Sequence, residues 1–221
     1  MPIAASTSPL AKPRRARGQA TRAAILAAAG PIFGKEGISG ARTESIATAA
    51  GVNKALLFYY FKDLPGLYAA VLEDQFRDFH ARSMEILTSP GSPRSLLLQY
   101  VDLHFDQVGK RRELAKLHHQ FLSTSNPAAG KLIRKYAIPR SQALGALLAR
   151  GIREGDFRKV DIRHTVVSIV GLVVFYFSIG PVMKHLGHAD AYSPAELKRR
   201  KQQVLEFIRY GLFLQPEAAL P

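Results

Sequence analysis

Thr43–Tyr60, TESIATAAGVNKALLFYY, is the stretch that decides the fold. Two short helices crossing steeply around a tight turn need a small residue where one passes over the other, and Ala47 supplies it. The turn needs a residue that tolerates positive φ, and Gly51 supplies that. Ile46, Val52 and Leu57 close the wedge between the helices, with Tyr60 as a further candidate. Asn53 stands where a side-chain oxygen would cap the second helix. Each feature is common alone. Together, within 18 residues, they spell a helix-turn-helix.

Once the inward positions are assigned, Asn53, Lys54, Ala55, Leu56, Phe58 and Tyr59 remain on the outer face of the second helix. A helix that enters the major groove of double-stranded DNA presents its N-terminal residues to base edges. Lys54 can donate to guanine or to a phosphate, Ala55 permits close approach, and Leu56 suits a thymine methyl. Tyr59, Tyr60 and Lys62 can bind phosphate oxygens. The aromatic run Phe58–Phe61 also serves core packing, with Leu57 and Phe61 inward and Tyr59 outward.

Helical patterns extend in both directions. Ile25, Ala29, Ile32 and Phe33 mark one face of a helix starting near Gln19, with Gly34 and Gly37 at its end. Asp63 reads as the cap of a helix reaching the late 80s, with Pro65 in its first turn. After the break Thr88–Pro93, helices are expected at about 94–109, 111–124, 128–154, 161–184 and 194–213, the last opened by Ser193 and Pro194. The predicted fold class is therefore all-α. Residues 1–18 form a basic arm without acidic residues, read as disordered; 19–66 form the helix-turn-helix unit; 67–215 form an all-helical domain for dimerisation and ligand binding.

The segment ESIATAAGVNKALLFYYFKDLPGLYAAVL, with the helix before it, resembles the DNA-binding domain of the tetracycline-repressor (TetR-like) family over about residues 19–72. The resemblance implies a homodimeric regulator, leaning to repression, with two recognition helices in successive major grooves of a palindromic operator. It implies groove reading by Lys54, Ala55, Leu56 and Tyr59, and phosphate contacts from Tyr60 and from Thr43 or Arg42. One position departs from the pattern: Leu64 stands where the family usually carries a phosphate-binding lysine, so Lys62 or the basic arm is left to compensate.

Composition fits this reading. The net charge of +14 asks for a polyanionic partner, and residues 1–66 carry +6 of it against +8 on the remaining 155. The absence of cysteine excludes disulfides and thiolate chemistry. The first eleven residues lack a secretory signal, so a cytoplasmic location is expected. No nucleophile elbow, phosphate-cradling glycine loop or carboxylate pair is visible, so neither an enzyme nor a cofactor is expected. His185 and His188 have ligand-like spacing, but Gly187 interrupts them and no third ligand is near; no metal is expected.

Thr165–Met183 is uncharged over 19 residues, and is read as an interface helix rather than a membrane span because Ser168, Gly171, Ser178, Gly180 and Pro181 interrupt it. Val166, Val170, Gly171 and Val174 are expected to meet Leu205, Ile208 and Leu212 of the last helix and a second copy of both, as a four-helix bundle. The charged run Lys198–Lys201 is expected on the solvent side. A small-molecule effector, apolar or aromatic with one or two polar groups, is expected between the middle helices. His104, Phe105, Leu117, His118, Phe121, Tyr136 and Phe175 are its candidate lining, although each serves equally as plain core.

Overall fold

The computed structural model describes residues 14–109 and 127–214. The expected all-α fold is what these residues form. Its order is α1 (Arg14–Gly40), α2 (Thr43–Ala49), α3 (Lys54–Phe61), α4 (Leu64–Thr88), α5 (Pro93–Gly109), α6 (Pro127–Leu132), a π-helical turn (Ile133–Ala137), α7 (Ile138–Arg153), α8 (Ile162–Ser178), α9 (Gly180–His185) and α10 (Pro194–Leu212). Extended pairing among the described residues is limited to one antiparallel bridge, Phe157 with Phe213, whose rings stack at 5.4 Å.

Two apolar clusters organise the helices. The first joins Ile25, Ala29 and Phe33 of α1, Ile46 and Ala47 of α2, Leu57 and Phe61 of α3, and Leu67, Val71, Leu72 and Phe76 of α4. The second gathers Phe79 and Leu87 of α4 with Leu97 and Tyr100 of α5, Leu144 and Leu148 of α7, Val173 and Phe177 of α8, and Val204 and Ile208 of α10. α4 thus belongs to both, and its 25 residues make a rod of about 37 Å. At its foot Phe33 meets Tyr68 edge to face at 5.1 Å.

Several expectations need correction. α1 starts at Arg14, not near Gln19, because the arginines and alanines after Pro13 are good helix formers; residues 1–13 of the basic arm lie outside the described residues. Gly34 does not end this helix. Gly37 breaks it at φ 68, and a last turn carries on to Gly40. The helix expected at 111–124 lies outside the described residues. The one expected at 128–154 contains the π turn, where the backbone takes an extra residue per turn. The uncharged segment is not one helix either: α8 ends at Ser178 and Gly180–Pro181 opens α9, since proline cannot donate to the preceding turn. No helix among the described residues is long and apolar enough to cross a membrane. The run Lys198–Lys201 is only half solvated. Lys201 turns inward to Asp102 and, at 3.0 Å, Asp106, and Arg200 donates to the Leu172 carbonyl at 3.1 Å.

A close backbone approach lies at the head of α4. The Asp63 carboxylate caps the Gly66 amide at 2.7 Å, and a Cβ on Gly66 would lie 2.4 Å from the Phe61 carbonyl oxygen. Because that neighbour is backbone, no side-chain rotation relieves the clash. Gly66→Ala is expected to cost about 1–3 kcal/mol, read as a lower urea midpoint with an unchanged m-value.

Candidate nucleic-acid interface and interior site

The turn between α2 and α3 is built by local hydrogen bonds. Gly51 takes φ 65, its amide donates to the Thr48 carbonyl at 3.1 Å, and the Val52 amide reaches back to Ala47 at 3.0 Å. This is a Schellman closure, which satisfies two carbonyls at a helix end. Asn53 then starts α3, its Oδ1 accepting from the Leu56 amide at 2.7 Å. Ile46 and Leu57 are fully buried at the crossing, Ala47 nearly so, and Val52 packs at the edge.

What α3 leaves outside is the expected surface. Asn53, Lys54, Ala55 and Phe58 are exposed, Leu56 is half-buried, and Tyr59 stands 80% exposed. Lys54 is held by Glu44 of α2 and lies 5.9 Å from the Phe58 ring centre. That partnership joins residues ten apart across a turn, and no sequence pattern announces it. Hydrogen bonds from Lys54, the backbone and the Thr43 hydroxyl hold the Glu44 carboxyl down to about 2, so a carboxylate sits on the face expected to meet phosphates. Thr43 is half-buried and donates to Glu44 at 3.1 Å; Arg42 is exposed just before α2.

Three positions carry packing or backbone roles as well. Tyr60 is half-buried against the first cluster, and its hydroxyl lies 3.3 Å from where a Cβ on Gly18 would stand, so it packs along α1 as well as facing out. Lys62 is exposed and occupies φ 64, ψ −54, while the Asp63 amide donates to the Phe61 carbonyl at 2.6 Å. This is a strained γ-turn for a residue with a Cβ, and it aims α4 back across α3. Leu64 is half-buried against the first cluster, which is why an apolar residue serves there.

In the interior, His104 and Phe105 are buried, but in different surroundings. His104 lies 4.8 Å from the Phe79 ring and 5.9 Å from Tyr100, whereas Phe105 packs on Phe177 at 5.6 Å. Tyr136 sits in the first cluster, on the π turn. Its hydroxyl donates to Glu73 at 3.1 Å, beside Lys135 at 2.7 Å, and its carbonyl lies 3.1 Å from Nδ1 of His80. The Lys135 ammonium is the main reason the Glu73 carboxyl is held below the usual range. Leu117, His118 and Phe121 lie outside the described residues. Phe175 is no lining residue: it is 64% exposed on the outer face of α8. A cavity of about 540 Å³ opens elsewhere, between α1 and α4, lined by Arg22, Leu26, Pro31, Val71, Gln75 and Arg77. Among the described residues no three His, Asp or Glu side chains cluster as metal ligands.

The expected dimer residues divide. Ile208 and Leu212 are buried in the chain's own second cluster, while Val166 and Leu205 pack against it, so these four are committed within one protomer. Val170, Gly171 and Val174 are half-buried, and a Cβ on Gly171 would meet nothing within 4 Å. The open apolar face lies one residue around each helix. Val167 (67%) and Phe175 lie on α8, with Phe207 (66%), Tyr210 (52%) and Gly211 on α10. The sequence carries apolar residues on two faces of each helix, and periodicity does not tell which one the chain buries itself.

Comparison with known proteins agrees with this architecture. Residues 25–71 match the family described as bacterial regulatory proteins, tetR family, and residues 93–208 match the tetracyclin repressor-like C-terminal domain. The transcriptional repressor NicS of Pseudomonas putida is 30% identical over 172 residues, covering 75% of this chain and 79% of its own. The transcriptional regulator RutR of Escherichia coli is 26% identical over 193 residues, covering 87% and 91%. Among solved structures, a regulator from Saccharomonospora viridis in complex with choline superposes with a TM-score of 0.74 at 18% identity, covering 89% of this chain and all of its own. FadR of Bacillus subtilis in complex with stearoyl-CoA superposes with 0.68 at 21%, covering 84% and 96%. The chain belongs to the tetR family, as a DNA-binding transcriptional regulator and not an enzyme.

Proposed function

We propose that this regulator is a homodimeric repressor that grips a palindromic operator through two copies of α3 and lets go when a small molecule enters the second apolar cluster. The observation that carries the DNA half is the single exposed face of α3, where Lys54, Ala55 and Tyr59 project from a helix whose start is fixed by Gly51 and Asn53. A short helix held by a rigid turn offers its first residues to base edges, and the tyrosine further along reaches the backbone. Arg42 and Lys62 flank it with charge.

The dimer is supported by the open face of α8 and α10. Four large apolar side chains on two adjacent helices are more than a monomer usually leaves to water, and Gly171 leaves room for a partner helix. The same face on both copies makes a two-fold interface and therefore a two-fold operator. For release, α4 is the mechanical link. It carries the α3 junction at Asp63–Gly66 and the second cluster at Phe79 and Leu87, so a population shift in the core alters where the heads sit. Regulators of the same fold solved in complex with choline and with stearoyl-CoA support a small-molecule effector.

Three measurements test the reading. With its own promoter DNA, Lys54→Ala plus Tyr59→Ala should weaken binding at least about tenfold, one base contact being worth about 1–3 kcal/mol; unchanged gel shifts would remove α3 from the interface. Glu44→Gln should tighten binding to both operator and random DNA, since it lifts a negative charge from the phosphate-facing side, and weaker binding would mean that the pair positions Lys54 for reading. Phe175→Glu plus Phe207→Glu should turn a dimer into a monomer by sedimentation while leaving the helical circular dichroism intact; a persisting dimer would place the interface elsewhere.

A further inference from the structure

Arg140, in the first turn of α7, puts its guanidinium carbon 4.4 Å from the centre of the Phe79 ring. Tyr100, whose ring packs on the same Phe79, is itself 1% exposed. Nη1 is closed off from solvent and has no hydrogen-bond partner. Among the described residues no carboxylate pairs with Arg140. The nearby acids are engaged elsewhere: Glu73 with Lys135, and Asp102 and Asp106 with Lys201. A guanidinium offers five donors in a planar fork that matches a carboxylate. Here the fork lies over an aromatic face.

The surroundings repeat the theme. Gln75, Phe79 and Ser83 follow one another at single-turn spacing on the inner face of α4, about 6 Å apart along its axis. Gln75 Oε1 and Ser83 Oγ are both buried without a partner. Against Phe79 lie the rings of Tyr100 and His104 of α5, the three in mutual contact at 4.8–6.4 Å between ring centres. Desolvation pushes the Arg140 guanidinium below its ordinary range. In a purely structural core an apolar side chain of similar volume would do better.

We propose that the packed junction of α4, α5 and α7 opens to take the carboxylate of a small aromatic acid, with Arg140 as its counter-ion, Tyr100 and Ser83 as hydrogen-bonding neighbours, and Phe79 and His104 against the ring. This rests on the reading that the second cluster admits an effector, and it names that effector's chemical class. Bound there, an acid would join α7 to the middle of α4, the helix that carries the DNA-binding head.

The test uses the full-length protein and two matched series: benzoate, phenylacetate and 3-phenylpropionate, and the three corresponding amides. The acids should raise the melting temperature in proportion to concentration, with the amides at least about tenfold weaker by calorimetry, since they lose the charge-assisted pair. Arg140→Met should abolish the response to acids while its unliganded melting temperature stays level or rises. Should that variant not fold, Arg140→Lys carries the test: keeping the charge without the fork should weaken acid binding at least about tenfold. Acids and amides binding alike, or Arg140→Met keeping its response to acids, would overturn the anion site while leaving an effector pocket standing. No response to either series, with operator binding unmoved, would overturn the anion site as well. An Arg140→Met protein that melts far below wild type, where wild type ignores the acids, would make Arg140 a structural cation only and also overturn the proposal.

Discussion

The DNA-binding head depends on a constraint three residues long. Between Ala50 and Lys54 the chain must end one helix, reverse and begin another without stranding backbone groups. Gly51 makes this possible by entering the left-handed region, where a Cβ would be strained, so that two amides fold back onto the last carbonyls of α2. Asn53 then caps the amides of α3. With both ends satisfied locally, the angle between α2 and α3 is set by a few bonds and sealed by Ile46 and Leu57. The outward direction of Lys54 and Tyr59 follows from that angle. Function at the surface is thus inherited from backbone chemistry in the turn.

α4 extends this local order through the molecule. Its first half is core to the head and its second half is core to the bundle, so neither cluster closes without it. The π turn packs where the two clusters meet, bonded to α4 through Tyr136–Glu73 and His80. The strained Lys62 turn and the tight Gly66 approach lie at the other end of the same rod.

The sequence disclosed most clearly those features whose causes are local. The Gly51 turn, the Asn53 and Asp63 caps and the Pro194 helix start each depend on neighbours within a few residues, and each stands where its chemistry predicts. Features decided by distant partners were hidden. Ile208 and Phe207 are adjacent and both apolar; only the position of α5 and α8 makes the first core and the second surface. Phe175 reads as interior from its type, yet lies on the open side of α8. The Glu44–Lys54 pair and the inward turn of Lys201 are tertiary accidents of spacing that no periodicity encodes. The π turn leaves no compositional mark, since Ile133–Ala137 would suit an ordinary helix.

Arg140 shows why the hidden features are the informative ones. A domain is stabilised by only about 5–15 kcal/mol in total, so a half-buried cation that no described carboxylate answers is a cost the fold has reason to avoid unless something offsets it. Elsewhere this chain does avoid it: Lys201, likewise half-buried, is turned to two aspartates. The Arg140 fork is left over a ring, with Nη1 closed off from solvent. Local rules explain where a helix starts and what it buries. They do not explain a polar group that the rest of the core has left unanswered, and a ligand that supplies the answering charge would gain its binding energy from that same deficit.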